Sequence, residues 1–508
     1  MNKSIVSLYT PLKKIRIEEE TTFPDYCSDI VRILKTDATP FVRSKKTTIK
    51  DGSVLTDVSG HIDFTVVYLG SEGYPESYTF VSEFNDTIKT VLPEDCDEEC
   101  VSSFLDVGVD NVYCKVQNQR RVNVRCDAVL DTKVKVNSLF DSFEGDKEKT
   151  ERKTEFVNTT SLVSSCFESF EFSEEIKLPE RSPLMERILS CRVDITPDSS
   201  SVSDAKLNFW ATLSVNCLYL SESDGERECS VESFYQPIEL SESIECYDLN
   251  KDSQYILRLT PENVSVSIST DNLGFNRVLE VKGSYRADVS VFDDKKIELT
   301  RDAYGVGCNL STEEEKRLLK SLKGTLRQTT ALREKIPLKD DADRIEGMSA
   351  DIRFVNSSWE DDKLVVGCKV HLSGVALYED TPSSVSTELD LTLPINLPSE
   401  LSSSDIQKSA DISLSVGYVD TKIYKEGVEA SFDVVALADV YSENEVSFIS
   451  SASISEKEEK DEREIFVYPL VSDTLWTVGK RYGVAISELE KANSITDSKL
   501  KRVMKIPR

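Results

Sequence analysis

Leu207 to Leu220 reads L-N-F-W-A-T-L-S-V-N-C-L-Y-L. Leu207, Phe209, Ala211, Leu213, Val215, Cys217 and Tyr219 fall on alternate positions. A period of two puts them all on one face of a half-buried strand and rules out a helix, whose apolar stripe recurs every three to four residues. Two further stretches have the same character and also end on Leu and Tyr. They are H-I-D-F-T-V-V-Y-L from His61 and L-V-V-G-C-K-V-H-L-S-G-V-A-L-Y from Leu364. Each runs into a turn rich in Gly, Asp, Ser or Pro: G-S-E-G-Y-P after Leu69, S-E-S-D-G-E after Leu220 and E-D-T-P after Tyr378. Such residues supply the backbone conformations that hairpins need.

The flanks repeat as well. Ahead of the first strand stands F-P-D-Y-C-S-D-I-V-R-I-L (Phe23 to Leu34), and ahead of the second L-P-E-R-S-P-L-M-E-R-I-L (Leu178 to Leu189), with Pro and Arg equally spaced. A third copy, I-P-L-K-D-D-A-D-R-I (Ile336 to Ile345), is one residue shorter. Behind the strands come R-R-V-N-V-R-C-D-A-V-L at Arg120, N-R-V-L-E-V-K-G-S-Y-R-A-D-V at Asn276 and E-G-V-E-A-S-F-D-V-V-A-L-A-D-V at Glu426. The first two copies close on Asp141-Ser142-Phe143 and Asp302-Ala303-Tyr304. A repeat of this length marks one structural unit used three times. The expected fold class is mainly β: tandem sandwich or barrel-like units at 10–145, 165–305 and 336–452, the last degenerate.

Two joints read differently. Residues 311–335 have Ser/Thr followed three places on by Glu, then apolar residues at 318, 319, 322 and 326, which predicts a capped helical linker. Residues 453–463 read as a charged tether. The remaining segment, 464–508, predicts a small α+β domain of βααβ order.

Composition narrows the function. With 508 residues the chain exceeds one core. Its net charge of −30 excludes generic binding to nucleic acid and adsorption on an anionic membrane. The start, M-N-K-S-I-V-S-L-Y-T-P-L-K-K-I, has no apolar signal region, and no run of 18 apolar residues occurs, so the expectation is a soluble cytosolic chain. Twelve cysteines lie without framework spacing, several in strand patterns, and are expected to be reduced core thiols. Only Cys96 and Cys100 lie close, and the two histidines, His61 and His371, sit opposite the apolar rows of their strands, so no zinc site or other cofactor is expected. No G-x-x-x-x-G-K-[ST], H-E-x-x-H or G-x-S-x-G is present, and the expectation is a protein that is not an enzyme.

The repeated segments, through the Pro…Arg-Ile-Leu opening, the Tyr-Leu strand and the Asp-Ala-Tyr close, resemble the SPOCS domain of clostridial spore-coat proteins. Residues 464–508 resemble a LysM domain: Phe466 to Tyr468 as first strand, Asp473-Thr474-Leu475-Trp476 entering a helix, Tyr482-Gly483-Val484 as a loop, I-S-E-L-E-K-A-N to Asn493 as second helix, and a strand closing on Ile506-Pro507. In this reading Asp473 or Ser472 caps the first helix, Ser487 caps the second, and Gly483 takes a left-handed turn. The resemblance implies partner or glycan contacts at Ser472, Asp473, Thr474, Trp476, Asn493, Ile495, Lys501 and Arg502. Glycan-binding LysM modules carry Lys-x-Gly and Pro-Gly-Gln in the groove loops, whereas Leu470-Val471-Ser472 and Leu500-Lys501-Arg502 stand here. Losing glycine where backbone must approach a sugar favours a protein partner. The segment holds eight Lys or Arg against five Asp or Glu, about +3, on a body of about −33. Trp476 reads either as core packing or as an exposed anchor.

Together the resemblances imply a morphogenetic scaffold made in the mother cell and placed at the forespore surface. It would dock through its LysM domain on the SpoIVA-type ATPase of the coat's basement layer, with other coat proteins and self-association served by the acidic repeats. The alternative is a peptidoglycan or N-acetylglucosamine binder of the cortex or wall.

Overall fold

A computed structural model describes the chain except for residues 147, 224–228, 339–341, 361–362, 380, 399–406, 426, 457–464, 496–499, 501–502 and 508. Unit one comprises β1 (Asn2–Tyr9), β2 (Lys13–Thr22), β3 (Ile30–Lys50), β4 (Ser53–Gly70), β5 (Pro75–Val91), β6 (Cys96–Asn118) and β7 (Arg121–Phe140). Unit two comprises β8 (Thr150–Lys177), β9 (Met185–Ser203), β10 (Lys206–Ser221), β11 (Val231–Glu245), β12 (Gln254–Thr270) and β13 (Asn276–Gly305). Unit three comprises β14 (Cys308–Pro337), β15 (Arg344–Glu360), β16 (Lys363–Tyr378), β17 (Thr381–Asn396), β18 (Gln407–Tyr424) and β19 (Gly427–Glu456).

One strand order occurs in all three. The middle three strands form a meander, β3-β4-β5, β9-β10-β11 and β15-β16-β17. In the other sheet the last strand is central, flanked by the first and the fifth: β8-β13-β12, β14-β19-β18, and in unit one β7 between β6 and the pair β1 and β2. All pairings are antiparallel. The two sheets of each unit enclose a core of their inward faces. The alternating row of β10 is the centre of one such core, with all seven residues from Leu207 to Tyr219 no more than 1% exposed.

The Leu-Tyr ends of the repeated strands have a second use. Leu218 and Leu220 are buried on the opposite face of β10, in a cluster with Leu34 and Val67 of unit one and Val375 and Leu377 of unit three. Leu34 and Leu189, which end the two Arg-Ile-Leu openings, are in the same cluster. Two further clusters, around Phe292 and around Phe448, also draw on all three units. The repeated motifs are therefore inter-unit packing residues, and the units close around a common centre rather than hanging as beads.

The arginine of each opening follows the same cycle. Arg32 donates to the Pro382 carbonyl on β17. Arg344 donates to Glu232 on β11 at 3.1 Å, and Glu76 on β5 is among the charges acting on Arg187. Each interface also holds an ion pair shielded from water: Lys45 with Asp288 at 2.9 Å, Arg258 with Asp439 at 2.6 Å, and Lys135 with Asp411. Lys135 is fully buried and donates to Ser7 and Tyr441 as well. An ammonium in such a place must have every proton bonded, because an unpaired buried charge is costly.

The structure corrects several expectations. Residues 311–335 are not a helix: they belong to β14, which pairs with β19 from Cys308↔Glu456 to Pro337↔Gly427. The strand carries a bulge, where the register shifts between Leu322 and Gly324 and Gly324 takes φ +110°. The helix-like spacing comes from burial on both faces: Leu319 and Leu322, three apart on opposite faces of β14, are both buried, one in the cluster around Phe448 and the other in that around Phe292. Unit two starts with β8 at Thr150, unit three with β14 at Cys308 and unit one with β1 at Asn2, so the expected boundaries at 165 and 336 each cut through a first strand and that at 10 leaves β1 out. The charged tether's first residues, Ser453 to Glu456, are strand β19, and the rest lies outside the described residues. Cys166 and Cys246 are paired as a disulfide, with Cα atoms 6.5 Å apart, where reduced thiols were expected. They lie at sheet edges facing across unit two, which no sequence spacing announces. His61 is on central strand β4, stacked on Phe41 and 3.6 Å from Asp63. Among the described residues no helix is long and apolar enough to cross a membrane.

Candidate functional site

The C-terminal segment forms β20 (Ile465–Val467), α1 (Leu475–Tyr482), α2 (Ile486–Asn493) and β21 (Met504–Ile506). The two short strands pair antiparallel, and Leu475, Val478, Val484, Leu489, Met504 and Ile506 make a core of their own. Gly483 closes α1 at φ +67°, a conformation glycine adopts at no steric cost.

The capping is not as expected. Thr474 is the N-cap of α1, accepting from the Thr477 amide at 3.2 Å while its own amide donates to Thr477 Oγ1 at 2.8 Å. Asp473 sits one residue too early to cap. It holds Arg481 at 2.7 Å and accepts from the Leu470 amide at 2.8 Å, and the Arg481 hydrogen bond holds its carboxyl below the usual range. Ser472 is exposed and caps nothing. Ser487 lies inside α2, whose N-cap is Ala485 with no side-chain bond.

The other candidates separate into two roles. Asn493 is a buried pin: its amide donates to the carbonyls of Leu489 and Lys505, and its oxygen accepts from the Lys505 amide at 2.7 Å. That locks α2 to β21, and Ile495 packs against the same core. Asn493 is thus taken up inside the module, whereas Ile495 is half-buried. Lys501 and Arg502 lie outside the described residues. Exposed apolar surface gathers elsewhere, at Phe466, Tyr468, Leu470 and the fully exposed Val471, with Val503 next to Met504 on the strand paired with β20. An apolar run this open is a common mark of an interaction surface.

Trp476 takes neither of its two expected roles, because it is packed against unit two. Its indole N–H donates to Asp302 Oδ2 at 2.8 Å, and its ring meets Tyr304 edge-on with centroids 5.0 Å apart. Lys480 donates to the other oxygen of Asp302. The buried Tyr304 hydroxyl donates to the Val484 carbonyl at 3.0 Å. Glu151 accepts from the Ile486 amide at 3.0 Å, and the Gly307 amide donates to the Gly483 carbonyl at 2.9 Å. The approach is close: a Cβ on Gly479 would stand 2.3 Å from the Tyr304 hydroxyl, so glycine is required there. Burial tends to raise the Asp302 pKa, but bonds from Lys480 and Trp476 outweigh it and hold the carboxyl below its ordinary value. Asp302, Tyr304 and Glu151 escaped sequence reasoning as site residues. The repeated Asp-Ala-Tyr close was the available signal, an acid and an aromatic ending a strand that has no further apolar row to serve.

The family model described as SipL, SPOCS domain matches residues 184–269, which run from the start of β9 to the end of β12. This segment of unit two is similar to that SPOCS domain. No curated protein matches the chain.

Proposed function

We propose that this protein is a non-enzymatic morphogenetic scaffold of the spore coat, acting in the mother cell at the forespore surface. Its C-terminal LysM-like module docks on the ATPase of the coat's basement layer, and its acidic body recruits other coat proteins or further copies of itself. The sporulation-family match in unit two and the shared strand order of all three units support the scaffold reading. The observation that carries the docking reading is the exposed apolar run through Leu470 and Val471, standing where a sugar-binding groove would need glycine and polar backbone. A module of about +3 charge gains encounter rate with an acidic protein surface.

The test is co-purification from sporulating cells with the full chain and with a truncation ending at Arg463. Capture of the ATPase by the full chain and its loss from the truncation supports the reading. Wall fragments following residues 464–508 while the ATPase follows neither chain would replace it with peptidoglycan binding.

A further inference from the structure

The face of α1 that carries Trp476 is occupied by the protein itself. Asp302 accepts from both Trp476 and Lys480, Tyr304 fills the hollow over Gly479, and Glu151 holds the first amide of α2. These contacts come from one corner of unit two, where the start of β8 pairs with the end of β13 and Glu151 lies opposite Tyr304. Asp302 and Tyr304 hold α1 while Glu151 holds the start of α2, so both helices of the module are fixed. The polar groups are matched in pairs. The indole N–H and the ammonium share the two oxygens of one carboxylate, and the Tyr304 hydroxyl meets the Val484 carbonyl that follows α1. An accidental contact would leave some of these donors unpaired.

We propose that this contact is a latch: the module is closed onto unit two in cis, and a partner that uses Trp476 must first displace Asp302 and Tyr304. The exposed run from Phe466 to Val471 stays open in the latched state and is the surface a partner meets first. Docking then has two stages, an encounter at the apolar run and an exchange of Trp476 from unit two to the partner. The gate rests on the docking reading above, whereas the latch does not. In a gated site the apparent affinity falls by the fraction of molecules that are open, so a latch open in about one molecule in ten weakens binding about tenfold.

The test uses the full chain with Asp302→Ala on unit two and, separately, Lys480→Ala on α1. Unchanged circular dichroism for each variant shows that the body and module remain folded. Hydrogen exchange of the peptide spanning residues 475–482 reports the latch without any partner, and affinity for the coat ATPase reports the gate. The expected result is faster exchange in both variants, with roughly tenfold tighter ATPase binding by Asp302→Ala. Unchanged exchange in Asp302→Ala overturns the latch. Faster exchange without a gain in affinity overturns the gate, because unit two then does not compete with the partner. If neither the parent nor the variants bind the ATPase, the docking reading fails and takes the gate with it, and exchange alone decides the latch.

Discussion

Replacing Gly347 by alanine tests whether the three units form one cooperative body. Gly347 lies at φ +58° in a bulge of β15, and a Cβ there would meet Leu218 of unit two at 2.7 Å from Cδ1 and 3.0 Å from Cβ. The left-handed conformation alone costs a non-glycine residue about 1–2 kcal/mol. Forcing a methyl into a packed core adds about 1–3 kcal/mol, so Gly347→Ala should destabilise the whole chain by about 2–5 kcal/mol. Leu218→Ala alone removes a side chain buried in the junction cluster and should cost about 2–5 kcal/mol. In the double variant the clash with Cδ1 is gone, although the Cβ contact remains. The combined loss should therefore fall short of the sum by roughly 1–2 kcal/mol, within the range seen for touching residues. Urea unfolding of the four chains gives the numbers. If the two losses add to within about 0.5 kcal/mol, Gly347 is felt only inside unit three and the shared-centre reasoning is refuted.

Three further outcomes follow from the same geometry. Lys135→Met leaves Asp411 buried without its cation and should cost about 3–5 kcal/mol, with pairing to Asp411→Leu recovering most of the lost melting temperature. Asn493→Ala removes three hydrogen bonds at a buried site, and should melt α2 against β21 while the body's unfolding midpoint stays fixed, read by hydrogen exchange of residues 486–493. The latch should be acid-labile. Asp302 has a latched pKa below its free value, so its contribution is complete above the ordinary carboxylate range and is lost as pH falls through the latched pKa. The Trp476 indole N–H resonance of the full chain should move towards its released position on acidification, and in Asp302→Ala it should show no such titration.

Much of the fold was legible because burial and strand period agree wherever a strand is buried on one face. The row from Leu207 to Tyr219 is such a case. The first strand of unit three was not legible, since β14 buries Leu319 on one face and Leu322 on the other, a spacing that a helix also produces. Thr474 lost the capping reading to Asp473 by a single position, and only the Thr477 partner distinguishes them. The site was harder to read than the fold for a different reason. Half of it lies more than 170 residues away, in Asp302, Tyr304 and Glu151, and a contact between distant segments leaves no local periodicity behind. The Leu and Arg of the openings were visible as repeats, but that they face neighbouring units could be learned only from the closed arrangement.

The closure around Leu34, Leu189, Leu218 and Val375 also sets a limit on how such a chain can evolve. An open stack of repeats tolerates duplication and deletion, because each copy needs only the next one. Here each unit is a wedge with two neighbours already in place, and a fourth copy would find no free flank to join. Gene duplication can lengthen a solenoid, but in this body each unit already packs against both of the others. The outer surface and the C-terminal module are what such a body leaves for building larger assemblies.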